Sequence, residues 1–158
     1  MPNWSENELI VDGGQTEIAR FKELAKGKVT GIEPQEESDL SLNSLYPMPK
    51  ELEGTKAPPD QPKQSLIDKY GSDNWYDWHV KNWGTKWDVE ARLETDKRNR
   101  LRYFFDSAWS PPLNWLIKVS KDFPTLKFTI KYIEEGMGFK GTFTVKNGET
   151  LNDVCHGG

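Results

Sequence analysis

Two histidines and one cysteine are the side chains of this 158-residue chain best suited to moving protons or holding a soft metal, and their neighbours decide whether they do. His79 stands near Asp77, a combination able to transfer protons or ligate a metal. Neighbouring positions of a helix point apart, so a partly buried structural histidine is the better reading. His156, Cys155 and Asp153 are capable of holding a soft metal by chance, but two further ligands at regular spacing are missing. Gly13-Gly14 resembles the start of a phosphate loop and lacks the later glycine, lysine and serine or threonine that the loop requires, which leaves a turn. Asp88, Glu90 and Glu94 fall on one face of an alternating segment with Arg92 among them, the pattern of a solvated face more than of a cation site. No nucleophile–base constellation is visible, and the sequence predicts no catalytic residue, no metal and no cofactor.

One cluster suits nucleic acid. Lys97, Arg98, Arg100 and Arg102 are concentrated around a predicted turn, with Phe104 on the strand that follows. Sheets that bind RNA stack bases on two or three exposed rings. The predicted open face carries Asp88, Glu90, Arg92, Arg102, Phe104, Thr129, Lys131, Lys140 and Thr142, hence one ring among several charges. A charged hairpin turn that discourages edge pairing is the plainer reading of the cluster.

The chain carries 21 Lys and Arg against 25 Asp and Glu, a net charge of −4, so nothing drives the whole molecule toward phosphate backbones or anionic membranes. A single cysteine excludes an intrachain disulfide and an all-cysteine metal site, and a reducing cytoplasm is the expected setting. No basic segment precedes an apolar run at the start, and no 18-residue apolar stretch occurs, so neither export nor membrane insertion is expected.

The elements that must position these residues follow from periodicity. The stretch 74–94 holds four of the seven tryptophans. Trp75, Trp78, Val80 and Trp83 share a helical face, Gly84 interrupts, and Trp87, Val89, Ala91 and Leu93 alternate as a half-buried strand, which predicts a core centred here. Asn7–Asp12 predicts a strand before Gly13, followed by a helix capped by Thr16, with Ile18, Phe21, Leu24 and Ala25 inward and Gly27 at its end. Lys28–Gln64 has six prolines and no sustained period, hence a long insertion pinned by Leu42, Leu45, Tyr46 and Met48. A helical turn over 65–70 and an Asp73 cap lead into the tryptophan helix. Beyond it, a polar turn over 95–99 joins the first strand to another over Arg100–Asp106. Ser107–Pro112 opens a second helix, with Leu113, Leu116, Ile117 and Val119 toward the sheet and an end at Asp122–Pro124. Leu126–Tyr132 and Phe139–Val145 alternate as a hairpin about Glu135–Gly138, and the polar tail 147–158 is expected to fray.

This order predicts an α+β, ferredoxin-like antiparallel sheet of four strands plus one added hairpin strand, with two helices on one face. A single domain over 1–146 carries the insertion at about 28–83.

At several of these segments the chain resembles a known family. The opening MPNWSENEL, YPMP at Tyr46–Pro49, NWGTKWDV at Asn82–Val89, AWSPP at Ala108–Pro112 and YIEEGMGFKG at Tyr132–Gly141 together look like the YubB-like proteins of phages and plasmids. The resemblance implies a ferredoxin-like domain, a mobile-element origin and no settled activity. Relatives usually carry cysteine where this chain has Ser5. It further implies a non-catalytic interaction protein in a bacterial host's cytoplasm, an inhibitor of a host defence system such as a CRISPR effector. The candidate contacts with such a partner are Glu36, Glu37, Asp39, Leu45, Tyr46, Glu51 and Glu53 of the insertion, where acidic and apolar groups are suited to docking on a basic host surface. A nucleic-acid-binding module is the alternative, and an unrecognised enzyme the third reading.

Overall fold

The computed structural model describes residues 3–157. A six-stranded sheet runs in the order β4 (Ala91–Lys97), β5 (Arg100–Ala108), β1 (Trp4–Asp12), β6 (Lys127–Glu134), β7 (Phe139–Lys146), β8 (Glu149–Gly157), and each neighbouring pair is antiparallel. Helix α1 (Gln15–Ala25) follows β1, and α5 (Leu113–Asp122) joins β5 to β6. β1–α1–β4 and β5–α5–β6 are the two halves of a ferredoxin-like unit, each placing another strand between the two it joins. Alternation along the strands turns Leu9, Val11, Leu101, Tyr103, Phe105, Phe128 and Ile130 inward. Phe21 of α1 meets Tyr103, Phe128 and the α5-terminal Phe123 edge-on at 6.1, 5.5 and 5.2 Å, so both helices cover the same sheet face.

The sheet has two added strands, where sequence analysis predicts one. The polar tail is β8, paired with β7 along its length. All its described residues are exposed, so no apolar alternation marks it. Its signal is Asn147-Gly148, with φ of 48° and 76°, the two positive angles that a tight hairpin turn between twisted strands needs.

The insertion is ordered by small elements: β2 (Gly27–Lys28) pairs with β3 (Glu37–Ser38), followed by α2 (Leu42–Leu45), a 3₁₀ turn at Lys50–Leu52, α3 (Gln64–Tyr70) and α4 (Trp75–Asn82). Leu40, Leu42 and Leu52 are fully buried, and Tyr46 and Met48 pack against the core. The side chain that fastens this layer is Asp88. Its carboxylate accepts from Thr30 N–H and Oγ1 (both 3.0 Å), Ser41 Oγ (2.8 Å) and the N–H groups of Leu42 (2.7 Å) and Val89 (2.8 Å). Asp88 therefore turns into the insertion and not onto the open sheet face.

That anchoring also moves the strand. β4 starts at Ala91 and runs on to Lys97, through the expected turn, with a register shift between Leu93 and Thr95. Glu90 lies before it, and Trp87 stands in a loop, 37% exposed. The core consequently takes Trp78, Trp83 and Trp115 and leaves Trp87 outside. Leu24 is likewise half-exposed. Caps shift too. Gly14, not Thr16, precedes α1, and Asn74 Oδ1 caps α4 by accepting from Asp77 N–H while Asp73 accepts from Lys63 N–H. β5 continues to Ala108, so Pro112 is the residue before α5 and not part of its first turn.

Candidate functional site

The displaced Trp87 belongs to a surface cluster. Trp75 and Tyr76 come from the first turn of α4, Lys86 and Trp87 from the loop before β4, Trp109 from the end of β5 and Trp4 from the start of β1. Asn74 begins α4, and Gly84 at φ 84° lets the chain leave it sharply, which carries Lys86 and Trp87 back over the helix. Trp109 has a left-handed φ of 69°, a costly backbone for a bulky residue that persists only where its surroundings impose it. Its N–H donates to the Asn3 carbonyl at 2.7 Å, and Ser110 Oγ donates to the Gly84 carbonyl at 2.6 Å. The kink holds the indole outward.

Trp4, Trp87 and Trp109 are 43%, 37% and 40% exposed. Trp4 lies 5.9 Å from Trp87, and Tyr76 meets Trp109 edge-on at 6.2 Å. The Lys86 ammonium sits 4.7, 5.2 and 5.8 Å from the ring centres of Trp87, Trp109 and Tyr76, and it joins no ion pair among the described residues. A hollow of about 520 Å³ opens among Trp75, Tyr76, Lys86, Trp87 and Trp109, walled by Ala57 and Pro58 of the insertion. Rings of this kind offer rigid apolar area at low entropic cost, and a cation held over their faces selects a carboxylate. The only sequence signal for the site was the tryptophan count; alternation assigned Trp87 to the core, and nothing local joins positions 4, 87 and 109.

His79 sits behind this cluster and positions it. The ring is 7% exposed and stacks on Trp83 at 4.0 Å. Nδ1 lies 2.7 Å from the Lys86 carbonyl, so it carries the proton and donates, while Nε2 is buried without a partner. Burial lowers the His79 pKa below 6.5, against the smaller opposing effects of the Lys86 carbonyl and Asp88. Above pH 6.5 the ring is neutral in both states. Below it the unfolded chain binds a proton that the folded chain refuses, so stability falls as pH falls. His79→Phe is expected to remove up to about 1.4 kcal/mol per pH unit from the acid slope of stability; identical slopes for both proteins in denaturant titrations below pH 6.5 refute this.

The residues singled out from sequence do not converge. Glu36, Glu37 and Asp39 are exposed around β3, and Asp39 accepts from Leu93 N–H at 2.7 Å. Leu45 is 9% exposed and part of the core, so it is not a contact surface; a leucine between polar residues carries no sign of which way it turns. Tyr46 is half-buried, bonded through its hydroxyl to Asn82 Oδ1 and edge-on to Trp78. Glu51 is held below the usual carboxylate range by the Tyr70 hydroxyl and then by Lys69, with which it pairs at 2.9 Å; Glu53 is exposed. On the other side, Arg100 pairs with Asp12 at 2.5 Å and Arg102 with Glu8 at 2.8 Å, while Lys97 and Arg98 at the hairpin end join no ion pair among the described residues. Phe104 is half-buried below the Arg102 guanidinium, 5.2 Å from its ring centre.

Ser5 is fully buried and donates to Asn7 Oδ1 at 2.9 Å, and Asn7 Nδ2 donates to Ser107 Oγ at 2.9 Å, a polar link between β1 and β5. Cys155 and His156 lie in β8 on successive residues and so on opposite faces. Among the described residues no three His, Cys, Asp or Glu side chains group as metal ligands, and no helix is long and apolar enough to cross a membrane.

Comparison with known proteins places this geometry. No curated protein matches the chain. The crystal structure of a protein api92 from Yersinia pseudotuberculosis superposes with a TM-score of 0.64 at 11% sequence identity, covering 100% of this chain and 99% of that one. The family model described as the ferredoxin-like domain in Api92-like protein matches residues 82–157, from the end of α4 through β8. Its segment 82–157 is thus similar to the ferredoxin-like domain in Api92-like protein, and the chain as a whole shares the fold of the Yersinia api92 structure.

Proposed function

We propose that the chain is a non-catalytic interaction module that docks on another protein through the aromatic surface around Lys86. The observation that carries this reading is three tryptophans, each about two-fifths exposed, gathered around one unpaired ammonium. Tryptophan and tyrosine dominate the energetic centres of protein interfaces, and contiguous exposed rings are uncommon on a surface that binds nothing. The partner segment supplies apolar side chains to the rings and a carboxylate to Lys86. The insertion takes part by walling the hollow with Ala57 and Pro58, while its acidic residues Glu36, Glu37 and Glu53 steer the encounter. The resemblance to YubB-like phage and plasmid proteins supports a bacterial host protein as partner, and a defence effector inhibited by occlusion as its class.

Replacing Trp87 and Trp109 together by alanine is expected to weaken partner binding at least a hundredfold, since two interface anchors at about 2 kcal/mol each multiply. Affinity capture from bacterial lysate with and without nuclease is the test. Nuclease-resistant capture lost in the double variant supports the proposal. Capture that persists unchanged in the variant removes the aromatic surface from the interface. Recovery that nuclease abolishes, with steeply salt-dependent binding, establishes nucleic acid as the ligand instead.

A further inference from the structure

An open hollow of about 770 Å³ lies on the sheet face away from α1 and α5, among side chains that include Glu6, Phe104, Asp106, Ile133, Lys140 and His156. Register puts one complete row of five residues across it: Asp106 of β5 opposite Glu6 of β1, Glu6 opposite Ile133 of β6, Ile133 opposite Lys140 of β7, and Lys140 opposite His156 of β8. The two carboxylates are therefore direct cross-strand neighbours, an arrangement that costs stability because like charges repel at this spacing. Neither they nor Lys140 joins an ion pair among the described residues. At the centre of the row Ile133 is 38% exposed.

That row is complementary to itself. Reflected about Ile133, acid falls on base at both steps: Glu6 on Lys140 and Asp106 on His156. The adjoining row continues the pattern. Phe104, Glu8, Lys131, Thr142 and Val154 follow one another in register, and reflection about Lys131 lays Phe104 on Val154, two apolar side chains. A twofold axis running along β6, between two stacked sheets, performs this reflection for two copies of the chain. We propose that the open sheet face is the interface of a homodimer, in which each copy's Glu6 and Asp106 meet the second copy's Lys140 and His156 around an Ile133–Ile133 contact.

The size fits. The five strands that overlap about β6, about 4.8 Å apart and about eight residues long at 3.3 Å each, span on the order of 600 Å² of flat area, before side-chain relief adds to it. A specific interface takes about 800 Å² of accessible surface per partner, so this face is large enough to hold two copies together. Aligned packing of twisted sheets is a common way for such faces to meet. One contact opposes it: Lys131 meets its own copy on the axis, and its four-carbon stem lets the ammonium turn toward Glu8, directly opposite on β1. The dimer covers Arg102 and Phe104, so the residues best placed for stacking a nucleic-acid base on this sheet are buried between copies.

Sedimentation equilibrium across a concentration series tests the proposal on the full chain, for which the monomer is 18.2 kDa. The native chain is expected to reach twice that mass. Glu6→Lys with Asp106→Lys makes every charge in the row basic, and Lys140→Glu with His156→Glu makes every charge acidic, so each double variant is expected to halve the mass. Mixed in equal amounts, the two are expected to regain the dimer, because an all-basic row then faces an all-acidic one. All these side chains are exposed, and circular dichroism confirms that each variant folds. A native chain that stays monomeric at every concentration overturns the proposal, as does a dimer that survives both reversals or folded variants that fail to pair when mixed.

Discussion

Trp115→Ala is expected to lower the unfolding free energy by about 3–5 kcal/mol, a large share of the 5–15 kcal/mol that holds an ordinary domain together. Trp115 is fully buried, and its indole N–H donates to the Leu42 carbonyl at 3.0 Å while its backbone N–H donates to the Trp83 carbonyl at 3.2 Å. One side chain thus ties α5 to the insertion. Truncation empties the ring's volume and removes one of the two donors to the Leu42 carbonyl, which keeps the Tyr46 N–H at 2.9 Å. Trp115→Phe refills most of the volume but not the hydrogen bond, so its expected cost is about 1–2 kcal/mol. Trp87→Ala, by contrast, is expected to cost no more than about 1 kcal/mol, because a third of that residue is in water and its loss leaves no closed cavity. Guanidinium titrations separate these cases. A Trp87→Ala midpoint as low as that of Trp115→Ala would return Trp87 to the core and deprive the docking surface of its central ring.

Asp88→Ala is expected to lower stability by about 3 kcal/mol and to loosen the insertion selectively. The carboxylate accepts five hydrogen bonds, three from backbone N–H groups and two from the hydroxyls of Thr30 and Ser41. Hydrogen bonds to a charged group contribute about 1.5–3 kcal/mol each, but Asp88 is partly solvated and water takes over some donors, which brings the sum well below five full bonds. Hydrogen exchange locates the effect. Amides of Leu42 and of the segment 28–45 are expected to lose protection in the variant while those of β1, β5 and β6 keep theirs. Uniform loss across the sheet would mean that the insertion and the sheet unfold as one unit.

Much of the architecture was legible because strands and helices with one buried face announce it by period. Phe128, Ile130 and Tyr132, or Leu101, Tyr103 and Phe105, alternate because one side of an antiparallel sheet is wet, and that pattern, with the helix before each return strand, determined the ferredoxin-like order. The open face followed from the same alternation, so Arg102, Phe104, Lys131, Lys140 and Thr142 stand where the sequence places them. Sequence could not determine β8, since a strand exposed along its length has no apolar face to show and is held by backbone hydrogen bonds to β7.

Trp87 was decided by the tertiary structure. Its alternation with Val89 and Ala91 is a strand's signature, but Asp88 between them finds four donors in the insertion and a fifth in the Val89 N–H, and satisfying that carboxylate holds the segment out of the sheet until Ala91. The same holds for the site as a whole. Trp4, Tyr76, Lys86, Trp87 and Trp109 come from four separate elements, and their meeting depends on a left-handed turn at Trp109 that no residue type in the sequence demands. The sequence by itself determined which residues prefer the interior and in what order the elements run, because those are local matters of period and propensity. Which tryptophans reach the surface together, and which charges face one another across the open sheet, depended on contacts between residues more than a hundred positions apart, and only the folded chain sets those.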